Sequence, residues 1–144
     1  MESVTISTGN TIMPRHIAAI LDNILAMILG VVAAKSVGDD RHALQIAAFV
    51  IAYLGYYFVF EALLSRTIGK FLTGLIIVRR DGSRISVREV TIRTLFRILE
   101  VNPVLLGAIP AALSIIFSKD HQRIGDRVAG TIVVPPQRVP KPPR

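Results

Sequence analysis

Long apolar runs alternate with short polar segments along the chain, and this pattern predicts helices that cross a membrane. Three runs approach the roughly 20 residues that a membrane-spanning helix needs. They are residues 17–34, 43–64 and 101–118. The second run is uncharged until Glu61, and Pro103 and Pro110 interrupt the third. The polar turn at 35–42 is short, so the first two helices are predicted to form an antiparallel hairpin.

A further helix is predicted over residues 85–101. Ser86 and Glu89 have the spacing of a capping box, which starts a helix, and Pro103 marks its end. One face of this helix carries four charged residues, Glu89, Arg93, Arg97 and Glu100. The spacing predicts the ion pairs Glu89–Arg93 and Arg97–Glu100. The helix is expected either to lie in the membrane interface or to enter the bundle with its charges inward.

Two short β-like segments flank this region. Residues 75–78 lead into Asp81-Gly82, a strong turn signal, and residues 131–134 lead into Pro135. We predict that they pair as a small cytoplasmic cap; the alternative is extended chain at the interface. The predicted fold is an all-α membrane protein, a small bundle of three to four helices with this short β-like pairing. A polar segment (1–14) and a disordered, Pro-rich basic tail (135–144) flank the domain at 15–134.

Composition supports the membrane interpretation. Hydrophobic residues make up 51% of the 144 residues and the mean hydropathy is +0.53, which leaves too little polar surface for a soluble domain. The chain has no cysteine, which excludes disulfides and thiolate metal sites. The net charge of +7 fits either a nucleic-acid-binding protein or a membrane protein with basic loops.

The distribution of the charges decides between these two classes. The turn 35–42 carries two basic and two acidic residues, segment 65–100 carries eight and three, and segment 118–144 carries six and two. The positive-inside rule places both basic segments, and both termini, in the cytoplasm. We therefore expect a multi-pass protein of the inner (plasma) membrane that binds no nucleic acid. The chain between the basic segments must then cross twice or not at all, so 85–101 and 101–118 are predicted to form a second hairpin.

Two carboxylates lie inside the predicted helices. Asp22 belongs to a stripe spaced by four residues, which is suited to close helix packing: Ala18, Asp22, Ala26, Gly30 and Ala34. Glu61 ends a similar stripe: Gln45, Phe49, Tyr53, Tyr57 and Glu61. At similar depths, two carboxylates are suited to sharing a proton or holding a cation. The alternative is neutralisation by an arginine, from the set Arg15, Arg66, Arg93 and Arg97.

Signals for enzymatic chemistry are missing from the sequence. The glycine-containing segment 68–74 lacks the spacing of a phosphate loop and is interpreted as a turn at the membrane surface. The three histidines have no metal-ligand spacing, and no pairing of a nucleophile with a base can be argued. We expect no enzyme activity, no cofactor and no metal site.

Several short motifs resemble the RDD family of small bacterial membrane proteins. They are residues 15–22 (RHIAAILD), Glu61, Gly69-Lys70, residues 74–78 with Asp81-Gly82, and residues 122–131 (QRIGDRVAGT). The resemblance covers residues 14–134, although Thr67-Ile68 stands where members often have Thr-Pro. It implies a membrane protein of transporter type, with some members proposed to exchange cations for protons. The family is named after one arginine and two aspartates. The resemblance implies that these residues are Arg15, Asp22 and Asp126 in this sequence.

The predicted function is therefore transporter-like movement of a cation or proton. The candidate ion site or buried charge network comprises Arg15, Asp22, Glu61, Arg93, Arg97 and Asp126. By its position alone, Asp126 is either a turn cap or the partner of a basic residue. One chain has few helices, so we expect a homo-oligomer or another membrane protein as partner within the bilayer. The alternative is an accessory membrane module that binds a partner protein or anionic lipid.

Overall fold

A computed structural model describes residues 11–100 and 123–139 of the chain. Its first two helices, α1 (Ile12–Ser36) and α2 (His42–Leu64), form the predicted hairpin. They are antiparallel, since Tyr53 donates to Asn23 at 2.6 Å while Phe49 packs on Gly30. Helix α1 begins five residues before the predicted start at 17, inside the segment assigned to a polar terminus. Pro14 is compatible with this start, because first-turn N–H groups have no partner within a helix.

The two helices pack through the predicted stripe of small residues. A Cβ on Gly30 would lie 2.7 Å from the Phe49 ring, so this close approach requires glycine. Tyr53, Tyr56 and Tyr57 of α2 are buried around Ala26 of α1. Aromatic side chains of one helix therefore fill the groove left by small side chains of the other.

Both helices of the hairpin expose apolar side chains on their outer faces. Among the described residues, they are the two helices long and apolar enough to cross a membrane, with hydropathies of 2.3 and 1.8. In the most apolar part of each helix, only 22% of the residues of α1 and 17% of those of α2 are buried. A core helix of a soluble protein would be mostly buried. The exposed side chains include Ile20, Ile24, Val32, Ile46, Ile51 and Leu63. These faces are suited to contact with lipid.

Shorter elements follow the hairpin and pack against one end of it. Within the described residues they are α3 (Ile68–Leu72), β1 (Ile76–Arg79), α4 (Val87–Glu100), α5 (Ile124–Val128), β2 (Thr131–Val134) and a 3-10 turn (Pro136–Arg138). Strands β1 and β2 pair in antiparallel register, with Ile76 opposite Val134 and Arg79 opposite Thr131. This confirms the predicted pairing, and Gly82 (φ 81°) forms the turn after β1.

Helix α4 turns its charged side inward and an apolar side outward. Arg93 and Arg97 are buried, whereas three apolar side chains are exposed: Val87, Leu95 and Ile98. Glu89 accepts a hydrogen bond from the Ser86 N–H at 2.6 Å, which confirms the predicted start of the helix.

The predicted ion pairing along α4 is wrong for Glu89 and Arg93. Glu89 instead binds Arg79 of β1 at 2.9 Å, and Arg93 reaches carboxylates on other elements. Arg97 likewise binds Glu61, while the side chain of its expected partner, Glu100, lies outside the described residues. Partners from other elements replace those expected along the helix.

Two predictions concern segments at the edge of the described chain. The third apolar run, residues 101–118, lies outside the described residues. Residues 135–144 were assigned to a disordered tail, but Pro136–Arg138 form the 3-10 turn, and Val139 packs against the cluster of Val78, Ile132 and Val134. This correction follows from the two prolines, which restrict the backbone, and from the apolar contact of Val139.

Candidate functional site

Asp22 lies almost completely buried between the hairpin and α3. Its Oδ1 accepts hydrogen bonds from the Tyr56 hydroxyl and from the Gly69 N–H, both at 2.7 Å. Its Oδ2 accepts one from the Thr67 hydroxyl. The side chain is 1% exposed and has no salt bridge within the described part of the chain. Three neutral donors therefore solvate this carboxylate in place of water.

Close packing of α3 against α1 makes this arrangement possible. A Cβ on Gly69 would lie 2.4 Å from the Ala18 carbonyl oxygen and 2.8 Å from Asp22. Glycine is thus needed at this position, because no side chain fits between the two backbones. The segment that the sequence indicated as a simple surface turn delivers a backbone donor to Asp22.

Thr67 and Lys70 connect Asp22 to Glu61. The Thr67 hydroxyl donates to Asp22 and accepts from Lys70 Nζ, which lies 3.2 Å away. Lys70 Nζ also lies 3.1 Å from Glu61 Oε1. A continuous hydrogen-bonded path therefore runs from the carboxylate of α1 to the carboxylate of α2.

Arg93 continues the path from Glu61 to Asp126. Its Nε donates to Glu61 Oε2 at 2.9 Å, and its Nη1 donates to Asp126 Oδ1. The same Nη1 lies 2.7 Å from the Thr131 hydroxyl of β2. One guanidinium on α4 therefore joins α2, α5 and the sheet.

The path returns to α1 through Arg15, whose Nη2 lies 2.7 Å from Asp126 Oδ2. Arg15 and Asp22 are both on the buried face of α1. The path thus begins and ends on α1, whose backbone closes it, and we call its side chains the charge ring: Arg15, Asp22, Thr67, Lys70, Glu61, Arg93 and Asp126. Arg97 attaches to it through Glu61 Oε1 at 3.4 Å and lies over the Tyr57 ring, 3.6 Å from its centroid.

Burial makes the pairing within the ring energetically important. Each charged member is at most 8% exposed. Burial alone would raise the pKa of Asp126, but Arg93 and Arg15 hold it below its usual value. Burial lowers the pKa of the Lys70 ammonium to about 8, against the opposing effect of Glu61. Lys70 is therefore a ring cation that can lose a proton near neutral pH.

The structure brings all six candidate residues from the sequence into one network, but in a different arrangement from the predicted one. Asp22 and Glu61 do not touch, because Thr67 and Lys70 lie between them. The two carboxylates therefore do not share one proton directly, although the sequence had suggested it. Glu61 has the expected arginine partners, Arg93 and Arg97, whereas Arg15 binds Asp126.

Asp126 plays both roles that its position suggested. It accepts a weak hydrogen bond from the Arg123 N–H at 3.4 Å, at the start of α5, and it binds two arginines. A Cβ on Gly125 would lie 2.9 Å from Phe96, so α5 and α4 are in close contact here. This contact brings Asp126 within reach of Arg93.

Sequence reasoning missed three members of the site, Tyr56, Thr67 and Lys70. Tyr56 is adjacent to Tyr57 but does not belong to the series of residues spaced by four, so the pattern did not select it. Lys70 belongs to the Gly69-Lys70 pair of the family resemblance, which was the one available signal. Among residues 11–100 and 123–139, no three His, Asp or Glu side chains converge in a way that could hold a metal.

Comparison with protein-family models gives a match to the RDD family over residues 10–130, which is most of the chain. The chain belongs to the RDD family. This RDD protein is a small membrane protein, consistent with its two apolar helices. The matched region spans the hairpin and the described elements as far as α5, and it contains every member of the charge ring. No match is found among curated proteins or among solved structures.

Proposed function

We propose that this RDD protein is a transport-type membrane module in which Asp22 carries a proton. The observation that supports this most is the surroundings of Asp22. It is buried within an apolar helix, and its hydrogen-bond donors are two hydroxyls and one backbone N–H. No cation pairs with it within residues 11–100 and 123–139, and a buried carboxylate of this kind is the group that proton relays use.

A route for the proton is available through Thr67. Lys70 Nζ donates to the Thr67 oxygen, and the Thr67 hydroxyl donates to Asp22. In one concerted step, Lys70 gives a proton to the threonine oxygen while the hydroxyl proton passes to Asp22. The step leaves a neutral amine and a neutral carboxylic acid, so atoms and charges balance. The pKa of Lys70, about 8, favours such exchange near neutral pH.

The other two ring carboxylates are poorly suited to binding a metal cation. Glu61 is surrounded by Lys70, Arg93 and Arg97, and Asp126 by two arginines. Their oxygen atoms already accept hydrogen bonds from cationic donors, so a metal ion would have to displace them and meet their repulsion. The proposal therefore assigns the proton to Asp22 and a structural role to Glu61 and Asp126.

A lined pathway needs more helices than the hairpin of one chain offers, so the proposed active form is a homo-oligomer. The proposed topology places both termini in the cytoplasm, following the positive-inside rule. The chain has no cysteine, so single cysteines at His42 and Arg88 are clean reporters. Only His42→Cys should react with an impermeant maleimide added outside the cell. Labelling of Arg88→Cys from outside would contradict this topology.

Proton movement can be measured with purified protein in liposomes that contain a pH-sensitive dye. An imposed Na⁺ or K⁺ gradient should drive proton flux above that of protein-free liposomes. Asp22→Asn should abolish this flux, because asparagine keeps the shape but takes up no proton. Asp39→Asn is the matched control, since Asp39 is exposed in the turn between α1 and α2.

Two outcomes would contradict the proposal. One is a wild-type flux equal to that of empty liposomes with either cation. The other is an Asp22→Asn flux equal to wild type. A single size-exclusion peak and an unchanged melting temperature would show that Asp22→Asn is folded, so that its loss of flux reflects the missing carboxylate.

One observation favours the accessory module as a second candidate. The charge ring ties the hairpin to the small sheet and to α3, α4 and α5, as a purely structural network would. If no flux is found, a stably co-purifying membrane protein or a preference for anionic lipid would support this candidate.

A further inference from the structure

Among residues 11–100 and 123–139, the buried cationic side chains of the site outnumber the buried carboxylates. Four cationic side chains are buried in or beside the ring, namely Arg15, Lys70, Arg93 and Arg97, against three carboxylates, namely Asp22, Glu61 and Asp126. With all seven ionised, the described cluster has one excess positive charge. Protonation of Asp22 raises the excess to two. Uncompensated charge in a buried site is costly, so the cluster favours a further negative charge.

A small cavity of about 20 Å³ lies within this cluster. Among the described residues, five cationic side chains line it: Arg15, Lys70, Arg93, Arg97 and Arg123. Asp22 and Asp126 are the carboxylates that line it. This volume accommodates a single water molecule or an ion of similar size. A polyatomic anion such as phosphate or sulfate is too large for it.

Within the described part of the chain, one side chain that lines the cavity has a buried donor without an acceptor. Arg97 is 7% exposed, and its Nε is buried without a hydrogen-bond partner in the described part of the chain. The other side of its guanidinium is held, since Nη2 binds Glu61 and the plane lies over Tyr57. Buried donors without partners are rare in folded proteins, so Arg97 Nε calls for an acceptor, and the cavity that Arg97 lines offers space for one.

We propose that the cavity binds a monatomic anion of the halide class, with chloride as the physiological occupant. The anion accepts from Arg97 Nε and is attracted by Lys70 and by the arginines of the lining. A water molecule could accept the same hydrogen bond, but it would leave the excess charge uncompensated. This inference does not depend on proton movement, because it concerns the net charge of the cluster and the unpaired Arg97 donor.

Thermal unfolding of the full chain in detergent tests the proposal. Chloride or bromide replaces gluconate at constant ionic strength, and sulfate serves as the oversized anion. Because a ligand that binds only the folded state raises its stability, the melting temperature should rise with chloride or bromide and then saturate. Sulfate should give no saturable rise. An equal response to sulfate, or no response to halide, would overturn the proposal.

A matched pair of variants locates the site. Arg97→Lys keeps the positive charge but removes Nε, and it should weaken halide binding at least tenfold. Arg88→Lys makes the same change at an exposed position on α4, and it should leave binding unchanged. Equal halide affinities for Arg97→Lys and wild type would exclude Arg97 as a ligand and overturn the proposed site.

Bromide in crystals of the wild-type protein gives a direct test that does not depend on how the variants fold. An anomalous difference peak beside Arg97, between Lys70 and Arg15, is expected. A bromide-soaked crystal without a peak in this cavity would overturn the proposal. If halide raises the melting temperature but the protein moves no protons, the anion site is supported and the proposed role of Asp22 is not.

Discussion

Glu61 and Asp126 are bound by one guanidinium, that of Arg93, although they lie on two helices, α2 and α5, that are far apart along the chain. The Arg93 Nε to Glu61 Oε2 distance is 2.9 Å, and Arg93 Nη1 donates to Asp126 Oδ1. Burial would lower the pKa of Arg93, but Asp126 and Glu61 raise it above its usual value. Arg93 is therefore a fixed cation that holds α2, α4 and α5 together.

Replacement of Arg93 should destabilise the protein strongly. Arg93→Met leaves two buried carboxylates with fewer partners, and loss of one member of such a network costs about 3–5 kcal/mol. Denaturant unfolding in detergent measures this change. Arg88→Met on the exposed face of the same helix should cost less than about 0.5 kcal/mol. Similar unfolding free energies for the two variants would refute the central role of Arg93.

Gly69 should tolerate no side chain. A Cβ there would meet the Ala18 carbonyl oxygen and Asp22, so Gly69→Ala should push α3 away from α1. Overpacking of this kind costs about 1–3 kcal/mol. Gly55→Ala is the matched control, because a Cβ on Gly55 meets nothing within 4 Å and alanine favours a helix. The expected result is a lower melting temperature for Gly69→Ala only; equal melting temperatures would contradict the close contact.

Lys70 should make stability depend on pH on the alkaline side. Its pKa in the folded protein is about 8, below the ordinary value of 10.5. Between these values the unfolded chain binds more protons, so the free energy of unfolding should rise with pH. The contribution is complete above pH 10.5 and is lost as the pH falls through 8. Melting temperatures between pH 7 and 10.5 should show this rise for wild type but not for Lys70→Met; parallel curves would contradict it.

Glu89 should make a smaller contribution on the acid side. Its hydrogen bonds with Arg79, and then those with Ser86, lower its pKa to about 2. The stabilisation is thus present above the ordinary value of 4.5 and is lost as the pH falls through 2. Glu89→Gln should reduce stability at pH 7 by less than about 1 kcal/mol, because Arg79 is partly exposed. The difference from wild type, measured by thermal unfolding, should shrink towards pH 2; a constant difference would argue against this pair.

Hydropathy and residue spacing were sufficient to predict the hairpin, the pairing of the two strands and the presence of Asp22 on a packed face. Each of these depends on properties that run along the chain, such as the length of an apolar run or a spacing of four residues. The start of α4 at Ser86 and Glu89 is predictable for the same reason. The limits of α1 were less accurate, because Ile12 and Met13 extend the helix beyond the apolar run.

The identity of the ion pairs was decided by the tertiary structure alone. Glu89 and Arg93 have the spacing of a helix pair, yet each binds a residue from another element that the tertiary structure brings within hydrogen-bond distance. Lys70 joins the ring only because Gly69 allows α3 to approach α1, a contact that no periodicity encodes. The sequence by itself thus determined the hairpin, the helix that starts at Ser86, the two paired strands and the inward position of Asp22. Packing decided which charge meets which, since that depends on distances between elements far apart along the chain.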